Sequence, residues 1–283
     1  MTWPLFATIS VITLSVATLL GRVLMKEGKS DPISCAMVFQ FMLGFFCLLL
    51  SLVFKKFTFP PVGFSVIRFG VSSLLWAGAT VFGLWSIKKL SASEATIVGA
   101  SSSVFTIFLG VLVLGETLGV AAIVGTLLTL VSIVIVSSEK LSFSSKEGVI
   151  YALLGSACAG SAVVNDAIIL RTYEAFSYTT IMSFLPGVVL VILFSKHLHG
   201  LRKLLNKTTL SLMALFCFLY SVQAITFYLA YGAGAPIAQL SPFTKSSIVL
   251  TVILAAIFLN ERKNMLKKSI AALLVFIGVA LLS

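Results

Sequence analysis

The sequence predicts an all-α, polytopic membrane protein, and three observations lead to this fold class. The hydrophobic fraction is 59 % and the charged fraction is 10 %, against about 45–50 % and about 25 % in ordinary soluble domains. The apolar runs are long and continuous, as in Ile9–Leu20 and Val249–Leu259, whereas the strands of a membrane barrel would alternate apolar and polar residues. The third observation is an internal repeat.

Ten apolar segments are long enough to cross a bilayer as helices, which takes about 20 residues each. Short loops join these segments, and the longest connection, Ser195–Thr209, has no room for a separate soluble domain. The predicted spans are Trp3–Met25, Pro32–Phe54, Phe64–Ile87, Ala92–Leu114, Leu118–Ser137, Gly148–Leu170, Tyr178–Phe194, Leu210–Tyr231, Pro236–Leu259 and Met265–Leu282.

The fourth and fifth predicted spans resemble the ninth and tenth. This repeat divides the chain into residues 1–138 and 139–283, with five spans in each half. Because five is odd, the second half enters the membrane from the opposite face, so the sequence predicts two inverted five-helix repeats. In proteins built this way the binding site lies between the halves, near the middle of the membrane. The aligned residues are Gly115-Glu116 with Asn260-Glu261, Ser101-Ser102 with Ser246-Ser247, and Glu94 with Gln239.

Two pairs of motifs also carry a family resemblance. LWSIKKLSASEATIVGAS runs on to LVLGETL, and the second half repeats the pattern as FYLAYGAGAPIAQL through IFLNERK. These motifs resemble the EamA-type family of the drug/metabolite transporter superfamily, and the resemblance covers nearly the whole chain. It implies a transporter of two five-helix units with both termini in the cytoplasm. The chain departs from the family pattern where the fourth and ninth helices usually contain proline, and where Asn260 replaces the second motif's glycine.

The formal net charge of +11 does not indicate a nucleic-acid partner. Most Lys and Arg residues lie in short loops, where they anchor helix ends, and the basic loops follow the odd-numbered spans. The positive-inside rule then places the basic loop Ser195–Thr209 in the cytoplasm and both termini outside. The family resemblance implies the opposite orientation, so the two alternatives stay open. We expect an integral protein of the bacterial inner membrane, with the lipid bilayer as its solvent.

Lys245 and Asp166 are the two charged residues within predicted spans that we select as candidates for the substrate site. A lysine in the hydrocarbon core costs about 2.5 kcal/mol or more on insertion scales, so Lys245 either contacts an anionic or zwitterionic solute or pairs with a buried acid. Asp166 lies in the last third of its span. It could bind a solute amine, couple to protons, pair with Lys245 or Arg171, or simply lie close to the interface.

Three uncharged residues complete the predicted substrate site. Gln223 could line a cavity or join two helices by a hydrogen bond, while Trp76 and Tyr228 lie deeper than the interfacial aromatic belt. Glu94 opens the fourth span, where a carboxylate stabilises the positive end of the helix dipole, so we expect a structural role for it. The predicted substrate-binding residues are Lys245, Asp166, Gln223, Tyr228 and Trp76.

These features predict a secondary transporter that moves a small organic metabolite, such as an amino acid or related compound, by alternating access. A coupling proton is a candidate partner. The sequence contains no nucleotide-binding loop and no zinc-protease or nucleophile-elbow motif, so we expect no cofactor, no metal and no catalytic residue. A membrane assembly subunit without transport activity is the alternative. A membrane-embedded enzyme would need convergent titratable groups, which the sequence does not show.

Overall fold

The computed structural model describes residues 3–27, 31–58, 65–115, 119–121, 123–125, 127–128, 131, 145–204, 207–235, 237–260 and 265–282. No strand occurs within these ranges, so the predicted all-α fold class is confirmed. A 3₁₀ segment, Ser195–Leu204, connects two of the helices. The helices are α1 (Trp3–Glu27), α2 (Pro32–Val53), α3 (Ser65–Lys89), α4 (Ala92–Gly99), α5 (Ser101–Leu114), α6 (Lys146–Ile169), α7 (Ala175–Leu193), α8 (Lys207–Gly232), α9 (Ile237–Lys245), α10 (Ser247–Phe258) and α11 (Met265–Leu282).

Seven helical segments of the described chain are long and apolar enough to cross a membrane. They are α1, α2, α3, α6, α7, α8 and the segment Ile97–Leu114, and a shorter apolar segment is Phe243–Phe258. The predicted fifth span, Leu118–Ser137, lies partly outside the described residues, and Glu116 and Glu261 of the repeated motif lie outside them. The count of ten spans therefore stays a prediction.

Contacts between helix ends fix the directions of the helices. Lys89 at the end of α3 pairs with Glu147 at the start of α6, and Ser72 near the start of α3 hydrogen-bonds Asp166 in the last turn of α6. The two helices are therefore antiparallel. Since α1, α2 and α3 alternate in direction, α1 and α3 begin, and α6 ends, at one membrane face, which we call the N-face. The opposite face, at which α3 ends and α6 begins, we call the basic face.

Two long helix pairs form the body of the molecule. Among the described helices, α3 packs most extensively along α6, and α1 packs along α8. Helix α2 lies on α7, while α5 packs on α6 and α10 packs on α1. At Gly160 on α6, a Cβ atom would lie 2.6 Å from the Ser102 carbonyl oxygen and 2.7 Å from the Phe105 Cβ. Only glycine lets α6 approach α5 this closely.

The predicted fourth and ninth spans are each interrupted by a single residue. Ala100 separates α4 from α5, and Ser246 separates α9 from α10. Both residues keep right-handed backbone angles, with φ −61° and ψ −23° at Ala100 and φ −58° and ψ −20° at Ser246. Each donates its N–H to the carbonyl three residues earlier, at 3.1 Å in both cases. The interruption is thus one tight turn of 3₁₀ type.

Both interrupted spans end on a left-handed residue. Gly115 follows α5 with φ 71°, and Asn260 follows α10 with φ 53°. Glycine adopts this conformation without a Cβ penalty, and asparagine is among the few other residues that tolerate it. The replacement of glycine by Asn260 in the second motif therefore preserves the same backbone conformation at the helix end.

The 3₁₀ segment is fastened to the start of α2 at the basic face. Asp31 caps α2 by accepting hydrogen bonds from the Ser34 N–H at 3.0 Å and the Ser34 hydroxyl at 3.0 Å, and it contacts His197 Nδ1 at 2.8 Å. Partial burial raises the pKa of Asp31, but the hydrogen bonds from Ser34 and His197 outweigh this effect and lower the pKa below its ordinary value.

The outer surface of the bundle is apolar. Ile67 is 75 % exposed, Ile192 is 72 % exposed and Phe258 is 73 % exposed. Large exposed apolar patches of this kind are rare on soluble monomers. In a bilayer, lipid tails would contact these apolar side chains, which agrees with the composition.

Candidate functional site

A cavity of about 350 Å³ lies at the centre of the bundle, and every described helix except α11 contributes to its wall. Its lining is mainly apolar, with scattered hydroxyl and amide groups. Of the described lining residues, Lys245 alone carries a formal charge at neutral pH. The cavity is therefore an apolar chamber with one cationic point on its wall.

Lys245 is the last residue of α9 and lies directly before the interruption at Ser246. It is partly buried and lines the cavity, together with Ser241 one turn earlier on the same helix face. Within the described part of the chain, no acid lies within ion-pair distance of Lys245, and no hydrogen bond to it is found. The alternative of a structural ion pair therefore gains no support from these residues.

Two glutamines supply polar groups to the cavity. Gln223 donates its side-chain N–H to the Ser10 hydroxyl at 3.2 Å, which confirms an interhelical hydrogen bond, and it also lines the cavity. Gln40 donates to the Thr80 hydroxyl at 2.6 Å, and this hydroxyl donates to the Trp76 carbonyl at 2.8 Å. This chain of donors orients the Gln40 amide and leaves its oxygen as an acceptor.

Trp76 and Tyr228 line the cavity, but their polar atoms point to a carboxylate behind the wall. The Trp76 Nε1–H donates to Asp166 at 2.8 Å, and the Tyr228 hydroxyl donates at 2.5 Å. The Ser72 hydroxyl donates to the other carboxylate oxygen at 2.6 Å. Asp166 itself is fully buried and is not among the lining residues.

The structure thus brings four of the five predicted residues to the cavity wall and places Asp166 behind it. Among the residues that the structure describes, neither Lys245 nor Arg171 pairs with Asp166. Gln40 and Thr80 are not among the predicted substrate-binding residues, although Gln40, like Gln223, is a polar residue within a span that could line a cavity or join two helices. Gln40 could be recognised from the sequence as a polar side chain in the middle of an apolar helix. Thr80 could not, since a threonine hydroxyl in a helix commonly bonds the backbone of its own helix.

Glu94 has the structural role expected for it. The Ser91 N–H donates to the Glu94 carboxylate at 2.8 Å, and the Glu94 N–H donates to the Ser91 hydroxyl at 3.2 Å. This reciprocal pair is a capping box, which satisfies the free N–H groups at the start of α4.

Comparisons with known proteins agree with this architecture. The model of the EamA-like transporter family matches residues 1–138 and, a second time, residues 146–283. No curated protein shows significant similarity to the sequence. One solved crystal structure of a protein covers 98 % of this chain and 94 % of its own chain, with a TM-score of 0.70 at 16 % sequence identity, and this likeness shows the fold alone. Together with its apolar helices, the family match identifies the protein as an integral membrane protein. The chain belongs to the EamA-like transporter family.

Proposed function

We propose that the protein is a secondary transporter of a small organic anion or zwitterion, such as an amino acid, which it moves by alternating access. One observation carries this proposal: Lys245 borders a central cavity with no acid beside it among the described residues. An unpaired ammonium inside the membrane is costly. A hydrated cavity or a bound carboxylate offsets that cost, and a bound carboxylate supplies the missing counter-charge.

The size and lining of the cavity support a small solute. Its volume of about 350 Å³ falls near the lower end of ligand pockets, which range from about 300 to 1,000 Å³. The solute's charged group would contact Lys245, and a donor group would reach the amide oxygens of Gln40 and Gln223. Trp76 and Tyr228 would contact its apolar part. Such a mixture of apolar walls with few polar anchors is typical of metabolite sites.

We propose that residues 1–138 and 139–283 are the two inverted repeats and that they comprise ten spans. If the two halves are exchanged, the α3–α6 pair corresponds to the α8–α1 pair. The contact of α5 with α6 likewise corresponds to the contact of α10 with α1. All four contacts are present. The interruptions at Ala100 and Ser246, which lie within one residue of each other in the alignment of the halves, support the same exchange. In this arrangement, rocking of one repeat against the other exposes a fixed site to each face in turn. The bacterial inner membrane is the proposed location.

Thermal unfolding of the purified protein against a metabolite library tests the function. A compound that binds only the folded protein stabilises it, by about 2.7 kcal/mol at one hundred times its dissociation constant. We expect stabilisation by amino acids or organic carboxylates and none by simple amines. Stabilisation by amines alone would contradict the assignment of Lys245. No stabilisation and no uptake of any compound would favour the assembly-subunit alternative.

A further inference from the structure

Asp166 is held by side chains from two other helices. It lies in the last turn of α6 and is fully buried, and its carboxylate accepts from Ser72 and Trp76 on α3 and from Tyr228 on α8. In all three hydrogen bonds the Asp166 carboxylate is the acceptor. A carboxylate can accept several such bonds at once, whereas a carboxylic acid carries one O–H donor of its own and forms weaker bonds as an acceptor.

This carboxylate joins helices that otherwise have little packing between them. Helix α8 packs along α1 and is not among the helices that pack extensively on α3 or α6. Near the N-face, α8 reaches α6 through the Tyr228–Asp166 bond at 2.5 Å and through a bond from the Tyr231 hydroxyl to the Ala167 carbonyl at 3.2 Å. Asp166 therefore bridges the α3–α6 pair and the α1–α8 pair at one end of the cavity.

Among the described residues, the other titratable groups around Asp166 do not pair with its charge. Tyr178 on α7 is fully buried beside it, with its ring 5.3 Å from that of Tyr228 on α8. On α3, Arg68 bonds the Asn165 side chain at 3.3 Å and not Asp166. Lys245 on α9 lines the cavity without a described partner. The part of α1 that packs here and the whole of α5 carry no titratable side chain.

We propose that Asp166 is the coupling-proton site of this transporter and that proton uptake by its carboxylate releases the bridge between α3 and α8 at the N-face. The step is simple addition of a proton to the carboxylate to give the neutral acid. Charge-assisted bonds from Ser72, Trp76 and Tyr228 then become weaker neutral bonds. The proposal rests on the transport function proposed above and names the residue that couples it to a proton gradient.

Trp76 and Tyr228 connect the proton site to the solute cavity. Each side chain lines the cavity and donates its polar hydrogen to Asp166. A solute that displaces either ring changes the donors around the carboxylate, and a proton on the carboxylate frees both rings. By linkage, the two binding events act on each other through the same pair of side chains.

The first test uses protons as the only ligand. Infrared difference spectra of the protein in lipid nanodiscs, recorded between pH 8 and pH 4, report the C=O stretching band of a protonated carboxyl group. We expect the wild type to show a component of this band that is absent in Asp166→Asn and retained in the control Glu174→Gln, which changes an exposed acid at the start of α7. An identical band in Asp166→Asn would overturn the assignment.

The second test measures the bridge. Spin labels at Ile67 and Ala233, exposed positions near the N-face ends of α3 and α8, report the distance between these helices once the native cysteines are replaced. We expect a longer distance at pH 4 than at pH 8 in the wild type, and the longer distance at both pH values in Asp166→Asn. Tyr228→Phe keeps the carboxylate and removes its bond to α8, so it should show the longer distance at both pH values yet retain the infrared band.

A distance that does not change with pH in the wild type, or the wild-type pH response in Tyr228→Phe, would contradict the bridge. These readouts need no solute. Failure of the solute screen alongside positive spectra would therefore count against the transport function and leave the proton site in place. The reverse pattern would count against the proton site alone.

Discussion

Lys245 and Asp166 are both charged residues within helices, and the protein surrounds them in opposite ways. Asp166 is enclosed by three hydrogen-bond donors, whereas Lys245 borders a cavity without a described partner. The buried carboxylate has its hydrogen-bonding capacity largely filled, and the ammonium depends on water or solute for its solvation. We infer from this contrast that Asp166 holds the bridge between α3 and α8 and that Lys245 binds the solute.

Because no described acid pairs with Lys245, its replacement should not destabilise the protein. In Lys245→Met the apolar stem is kept and the cost of a buried cation, about 2.5 kcal/mol or more on insertion scales, is removed. We expect the solute-free protein to unfold at the same or a higher temperature than the wild type. The control Lys146→Met, at an exposed position, should change little. A loss of more than about 3 kcal/mol would instead indicate a broken ion pair.

The lowered pKa of Asp31, at the basic face, makes the free energy of unfolding depend on pH. Its pKa is lower in the folded protein than its ordinary value, which is about 4. Its contribution to stability is therefore complete above about pH 4 and is lost as the pH falls through the folded-state pKa. Asp31→Asn keeps a capping side chain but cannot titrate there. We expect the wild type to lose more stability than Asp31→Asn below pH 4 in thermal unfolding, and parallel curves would contradict this.

At the scale of the helix, Asn260 shows how a substitution can preserve a backbone conformation. Its φ of 53° matches the 71° of Gly115 at the equivalent end in the first half. A β-branched residue is poorly suited to this region, where an L side chain costs about 1–2 kcal/mol. We expect Asn260→Gly to leave the unfolding free energy unchanged or raised and Asn260→Val to lower it by about 1–2 kcal/mol. Equal stability of the two variants would show that this conformation is not required.

Because α5 packs closely against α6, alanine substitution should have different effects on stability at two glycines. A Cβ at Gly160 would meet the α5 backbone at 2.6 Å, whereas a Cβ at Gly70 on α3 would have no neighbour within 4 Å. Overpacking of this kind costs about 1–3 kcal/mol, while alanine in an open helix position is favoured by about 0.5–1 kcal/mol. Gly160→Ala should therefore lower the unfolding temperature and Gly70→Ala should not. Similar effects from both substitutions would mean that α5 and α6 lie further apart.

The sequence alone was informative about helices and less so about their interruptions. Long apolar runs predicted α1, α2 and α8 within a few residues, because apolar length is what membrane insertion selects. The turns at Ala100 and Ser246 could not be predicted. A 3₁₀ turn differs from an α-helical turn only in which carbonyl accepts the N–H, three or four residues earlier, and no proline occupies either position. For the site, the rarity of polar residues in spans singled out Lys245, which lines the cavity; its role in substrate binding stays a prediction. The position of Asp166 behind the wall depends on how α6 is rotated, which apolar patterning does not encode.

At the scale of the whole molecule, the two faces differ in charge, and this predicts orientation. Thr172 and Ser195 are exposed residues at opposite ends of α7, and Ser195 opens the basic 3₁₀ segment. If the positive-inside rule decides orientation, a cysteine at Thr172 should react with an impermeant reagent outside intact cells and a cysteine at Ser195 should not. The reversed pattern would place both termini in the cytoplasm, as the family resemblance implies.

Uptake of the stabilising solute into proteoliposomes tests whether the protein is a transporter that binds its solute through Lys245. The wild type and Lys146→Met should show saturable uptake above protein-free liposomes. Lys245→Met, reconstituted to the same level, should bind or transport the solute about 10- to 100-fold less well, since a hydrogen bond to a charged group contributes about 1.5–3 kcal/mol. Wild-type uptake by Lys245→Met, or no uptake by the wild type of any compound that stabilises it, would contradict the account.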